Sequence, residues 1–344
     1  MALVVVLYGI LVCLAAKQIE AAELKRETSA AFEHYVGASE QRIKSELHNG
    51  PFLFIDELPE TRRVEAYAQL RGGKVLIEQV NAKEGGRPIE VPHGLIHDWI
   101  GVLFIPNASL SQTLAVIKDY DNHRSIYKPE VRDSKLLQRN GNSFKVFLQF
   151  YKKSLVTVVI NGDFDISYED LGSNRALSRC YSTRLVEVEN VGQTDERELP
   201  VDDGHGYLWR LYSYWRFEEQ DGGVYVQLES IGLSRSVPAI FAWLVNPLLR
   251  GIPRGTLSSL LGATRAAVAK AGAEATLFFS DSQACPKCCS STHPSGLLDQ
   301  NQGIVLERNL GSGWLARRPS EIEPILSTRG PFRDSYIAPQ GLNP

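Results

Sequence analysis

From residue 92 to residue 233 apolar and polar side chains alternate through run after run, which restricts the chain to an antiparallel β-sheet. The runs fall at 94–105, 131–139, 144–151, 155–168, 175–189, 207–218 and 224–233. Asn140-Gly141-Asn142, Lys152-Lys153, Asp170-Leu171-Gly172-Ser173-Asn174 and Asp221-Gly222-Gly223 separate them and supply the turns. After the first run, Ser109 followed by Leu110, Leu114 and Ile117 marks a capped helix, and 119–129 a second short helix or turn. A long helical segment, 237–270, follows the last strand with an apolar stripe at Ile240, Phe241, Leu244, Val245, Leu248 and Leu249. Pro247 and Pro253 are expected to break or kink it, because each removes a backbone donor and crowds the turn before it. The fold class is therefore α+β: a seven-stranded curved antiparallel sheet around a long C-terminal helix.

The ends of the chain read differently. Residues 2–16 carry no charge and have the length of a signal-peptide core, short of the ~20 residues a spanning helix needs. Residues 1–22 are therefore read as a signal peptide or an N-terminal anchor, and the expected location is outside the cytoplasm, periplasmic or secreted. Residues 23–91 form an N-terminal extension: a helix over 23–47, then a β-hairpin of 63–70 and 74–80 joined by Arg71-Gly72-Gly73. The main domain spans 92–270, and 271–344 reads as a poorly ordered, Cys-containing tail.

A net charge of −3 gives no electrostatic reason for nucleic-acid binding, since no excess positive charge displaces phosphate counterions. Cys180 is the one cysteine between the leader and residue 285, so the main domain does not rest on disulfides. Cys285, Cys288, Cys289 and His293 have ligand-like spacing, but a single cluster is a weak metal signal; no metal and no cofactor is assigned. His93 and His97 lack the intervening Glu of a zinc-protease helix and read as structural histidines.

The order strand, two short helices, six strands, long helix resembles the START-like helix-grip superfamily, which includes lipid-transfer START domains, coenzyme Q-binding proteins and polyketide cyclases. The resemblance covers 92–270 and is carried by the layout, by the passages 117–131, 207–216 and 223–238, and by Trp243-Leu244-Val245-Asn246-Pro247, a run similar to one in exported bacterial members. It implies a cavity between the sheet and the last helix. Trp99, Trp209, Leu211 and Trp215 on the sheet, with Phe241, Leu244 and Leu248 on the helix, are the implied lining, and Arg184 and Glu229 the candidates for holding a polar head group. Residues 246–256, with two prolines and two glycines, are a candidate flap over the entrance.

The expected function is non-catalytic binding, and transfer, of a hydrophobic small molecule such as a lipid or isoprenoid, with transient membrane contact. A cyclase-like enzyme using a Glu in the same cavity is the second reading. A structural module whose cavity is filled by its own side chains is the third.

Overall fold

The computed structural model describes residues 22–153, 157–236, 239–283, 305–308 and 314–317, with the side chains of 49, 239–250, 252 and all from 275 onward left aside. The chain divides into two compact units, Met1–Ala284 and Cys285–Pro344. In the second, Val305–Arg308 and Trp314–Arg317 form an antiparallel pair. The leader, the cysteine cluster Cys285, Cys288 and Cys289, and His293 lie outside the described residues. Among the described residues no helix is long and apolar enough to cross a membrane.

The first unit begins with helices α1 (Arg26–Asn49) and α2 (Glu60–Arg71), followed by edge strand β1 (Leu76–Gln79). Strand β2 (Gly94–Pro106) leads into helix α3 (Leu110–Ile117) and a short helical turn, His123–Ile126. Six strands follow: β3 (Val131–Asn140), β4 (Ser143–Lys153), β5 (Thr157–Asp170), β6 (Arg175–Glu189), β7 (Arg210–Gln220) and β8 (Gly223–Arg235). Helix α4 (Ala239–Gln283) closes the unit. The strands lie in the order β1-β2-β8-β7-β6-β5-β4-β3, with neighbours antiparallel throughout. This is the helix-grip arrangement that the layout implied. The sheet has nine strands rather than seven, because β1 adds to β2 and the two-residue strand Arg197–Glu198 adds to β6.

Alternation along each strand sorts side chains to two faces. The inner face carries Leu103, Ile105, Val146, Phe164, Phe217, Val226 and Leu228, packed with Leu257, Leu261 and Val268 of α4 and Leu110 and Ile117 of α3. Ser109 caps α3, its side chain accepting from the Gln112 amide while the Gln112 side chain accepts from the Ser109 amide. Gly101 lets α4 approach β2 closely: a Cβ there would lie 2.5 Å from Leu261 Cδ1 and 3.0 Å from Leu257 Cγ. Gly101→Val is therefore expected to cost about 1–3 kcal/mol by overpacking, read as a lowered midpoint of urea unfolding at unchanged slope.

The outer face is covered too. Thr28, Phe32, Tyr35, Val36, Ser39, Ile43 and Glu46 recur at helical spacing on α1 and are buried. The apolar members of that stripe pack with Trp209, Tyr214, Ile231 and Leu233. Ala66 and Leu70 of α2 join Ile100, Val102, Phe104 and Tyr225 in a further cluster. Strand β8 is consequently buried on both sides over most of its length.

Three expectations change. Residues 63–70 are helix, not the first strand of a hairpin: Ala66 and Leu70, four apart, face the sheet while Val64 is exposed. The helix-favouring Glu, Arg, Ala, Gln and Leu of Glu60–Arg71 agree with that outcome. The last helix runs unbroken through Pro247 and Pro253 and continues to Gln283, past the boundary drawn at residue 270. The flap drawn over 246–256 therefore lies within a continuous helix.

Candidate functional site

Inner-face residues are not all packed alike. Phe144, Val146, Phe217, Val226 and Leu228 are fully buried, but Leu148, Phe150, Leu211, Ser213 and Trp215 are half-buried although they belong to the same face. Phe150 meets Phe164 edge-on at 5.8 Å, and Trp215 stacks on Phe217 at 6.0 Å with planes 6° apart. Small side chains bring the middle of this strip down: Ser213 lies directly opposite Cys180, and Trp215 opposite Ser178. The result is a low, aromatic-edged apolar strip across β4, β6 and β7.

Ser178 Oγ is buried without a hydrogen-bond partner among the described residues, but other polar groups around the strip bond within the fold. The Tyr120 and Tyr168 hydroxyls lie 2.7 Å apart, and Tyr127 bonds Thr264 of α4 at 3.1 Å. The His123 ring lies 2.9 Å from the Ile117 carbonyl oxygen, and burial lowers its pKa to about 4. His97, 2.9 Å from Ser234 Oγ, is likewise lowered to about 4 by burial. Both act as neutral, structural histidines at physiological pH.

The outer face holds the densest buried charge. Arg42 of α1 donates to Glu46 at 2.8 Å and ion-pairs with Glu229 of β8. Arg216 of β7 ion-pairs with Glu46 and donates to the Phe52 carbonyl at 2.8 Å. Tyr35 donates to Asp98 Oδ2 at 2.9 Å and accepts from the Ala82 amide at 2.9 Å. Asp98 sits opposite Ile231 and Glu229 opposite Ile100, which makes the two carboxyls diagonal neighbours on adjacent strands. Asp98 Oδ1 and Glu229 Oε2 are buried without a hydrogen-bond partner among the described residues. Burial raises both acids above the ordinary carboxylate range, and the Asp98 charge pushes Glu229 further up, against the pull of Arg42 and Arg216.

A third constellation closes the far end of the inner face. Ile160 of the inner core lies directly opposite Glu187, so the Glu187 side chain leaves β6 on the same side of the sheet. Its Oε2 accepts from the His205 amide at 2.9 Å and lies 2.8 Å from His205 Nδ1, and its Oε1 accepts from the Tyr207 amide at 2.9 Å. Gly206, at φ +73°, supplies the left-handed turn that brings both amides round to one carboxylate. The His205 ring stacks on Tyr207 at 5.3 Å. A pocket of about 390 Å³ lies here, lined by Val158, Val159, Glu187, Val191, His205 and Tyr207 among others.

Among the implied cavity residues, Trp99, Leu211 and Trp215 do lie on the inner face, Trp99 buried in its core and the other two in the half-buried strip. Trp209 lies on the outer side with Phe32 and Tyr35, because it precedes the start of β7 and does not follow that strand's alternation. Glu229 also faces outward, beneath α1, where Arg42 provides the counter-charge. Arg184 ion-pairs with Glu198 and lies 3.8 Å from Asp163, with about a third of its side chain exposed. The side chains of Phe241, Leu244 and Leu248 lie outside those described.

Sequence reasoning passed over Arg42, Glu46, Glu187 and His205. Arg42 and Glu46 read as an ordinary i,i+4 surface pair. Glu187 and His205, 18 residues apart with turns between them, share no spacing that would have joined them.

No protein-family model matches the chain, and no curated protein does. Solved structures do. The chain is similar to the STAR-related lipid transfer protein of Xanthomonas axonopodis at 18% identity, covering 54% of this chain and 98% of that one, with a TM-score of 0.36. It is similar to human STARD10 at 10% identity, covering 65% and 86%, with a TM-score of 0.38. It is also similar to the Zhui aromatase/cyclase of a Streptomyces species at 10% identity, covering 50% and 94%, with a TM-score of 0.35.

Proposed function

We propose that this chain binds an apolar small molecule, of the size of a lipid chain or isoprenoid, against the inner face of the sheet beside α4. The observation that carries the reading is the half-buried strip of Leu148, Phe150, Leu211 and Trp215, flanked by fully packed neighbours on the same face. A guest lying there removes apolar surface from water on both sides of the contact. Each methylene buried contributes roughly 0.8 kcal/mol, part of which is lost in ordering the guest. Binding is favoured over catalysis because Glu229 faces outward beneath α1, while Glu187, the acid on the inner side, is held by two backbone amides and the His205 ring. Export, transient membrane contact and transfer between membranes belong to the same proposal, with export resting on the character of residues 2–16 alone.

Organic extraction of the purified full-length chain, followed by mass spectrometry, tests this directly. A lipid or isoprenoid recovered in roughly equimolar amount is the expected result. Ser213→Phe, which fills the low middle of the strip, is expected to reduce the recovered ligand at least tenfold while the fold persists by circular dichroism. Clean extracts, with no uptake of a fluorescent long-chain probe, would end the carrier reading.

A further inference from the structure

Deepening the proposed function and resting on it, we infer that the pocket beside Glu187 and His205 seats the head group of the bound molecule, and that this head group is a hydroxyl. Three observations lead there. First, the pocket continues the apolar strip: Val158 lines it and also packs against the inner core, and Glu187 faces the same side as Ile160 and Leu185. A chain lying along the inner face therefore runs out toward this end. Second, the pocket is of small-molecule size at about 390 Å³ and its valines stand beside polar side chains, Glu187, Asn190, Gln193 and His205 among them, as a polar end needs.

Third, Glu187 fixes the chemistry of the imidazole. A carboxylate accepts only, so its contact with His205 Nδ1 places the proton on that nitrogen. In the neutral tautomer with the proton on Nδ1, Nε2 is a lone-pair acceptor, and among the described residues the protein supplies no hydrogen-bond partner for it. Glu187 itself is occupied by two backbone amides and the ring, which leaves the imidazole as the adjustable partner. An acceptor at the end of an apolar strip selects a guest whose polar end donates. A long-chain or isoprenoid alcohol fits. A carboxylate does not, because it brings no donor to Nε2 and would sit beside the Glu187 carboxylate behind the ring.

The test compares two radiolabelled probes on the full-length chain, 1-hexadecanol and its methyl ether, which keeps the chain and the oxygen but loses the donor. Wild type is expected to bind the alcohol about tenfold more tightly than the ether. His205→Ala should bring the two to equal affinity, the alcohol losing about tenfold more than the ether. Glu187→Gln keeps the side-chain shape and an acceptor for one of the two backbone amides but no longer fixes the ring tautomer, and should narrow the preference several-fold. A merely structural role for the pair would lower both affinities together and leave their ratio intact. Equal binding of both probes by wild type, or a preference that survives His205→Ala, overturns the head-group assignment alone. Failure to bind either probe overturns it together with the carrier reading.

Discussion

At pH 9, where Glu229 has lost its proton, Arg42→Met is expected to destabilise the fold by about 3–5 kcal/mol, because it leaves a buried carboxylate without its cation. Glu229 is 1% exposed and has Arg42 as its ion-pair partner; Glu46, 8% exposed, would keep Arg216. The lower half of that range is the better expectation, since 32% of the Arg42 side chain still meets solvent. Met keeps most of the volume of the Arg stem, so the loss reads charge rather than packing. The double variant Arg42→Met/Glu229→Gln removes the stranded charge and should recover a large part of the loss. Urea unfolding of wild type, both single variants and the double variant forms the cycle that measures this coupling. Strict additivity of the two substitutions would show that the pair contributes nothing to holding α1 on the sheet.

The inner half of the architecture was legible in sequence because one period governs it. Leu103 and Ile105, Val146 and Leu148, and Val224, Val226 and Leu228 alternate with polar or outward residues, and a one-residue slip would turn each set away from α4. The outer layer was not legible for the same reason. Strand β8 is buried on both faces, so Tyr225, Gln227 and Glu229 carry no solvent signature to show that a second helical layer covers them. Residues 63–70 satisfied both a strand and a helix pattern, and only the contact of Ala66 and Leu70 with the outer cluster decides between them. Glu229, a candidate for holding a head group inside the cavity, is a buried acid on the other face, and its partner, Arg42, comes from α1 and lies 187 residues away in the chain. Alternation places a residue on a face; it does not say which face the ligand uses.

The same cluster makes stability depend on pH, and the sign follows from the charges. Glu46, Asp98 and Glu229 face two guanidinium groups, Arg42 and Arg216, with the Tyr35 hydroxyl on Asp98 and Glu57 nearby. Three carboxylates against two cations are neutral only when one proton is retained. Burial pushes Asp98 up to about 6, and burial together with the Asp98 charge pushes Glu229 up to about 8, which holds that proton on the diagonal pair. Both values lie above those of an unfolded carboxyl, so the native state binds the extra proton. The pair's stabilisation is then fully present below the unfolded carboxyl range, near pH 4, and is lost as pH rises through the folded values, so that this contribution is absent above about pH 8. The total change is on the order of a few kcal/mol for a group this buried. Glu229→Gln supplies a permanently neutral side chain at the same place. It should flatten the fall between pH 5 and about 9 and leave the variant more stable than wild type at the alkaline end, as judged by unfolding midpoints across that range. Buried His97 and His123 add a rise of their own up to about pH 6.5, which is common to both proteins and cancels in the comparison. A gap between the wild-type and Glu229→Gln midpoints that stays constant from pH 5 to 9 would mean that no proton is held between Asp98 and Glu229.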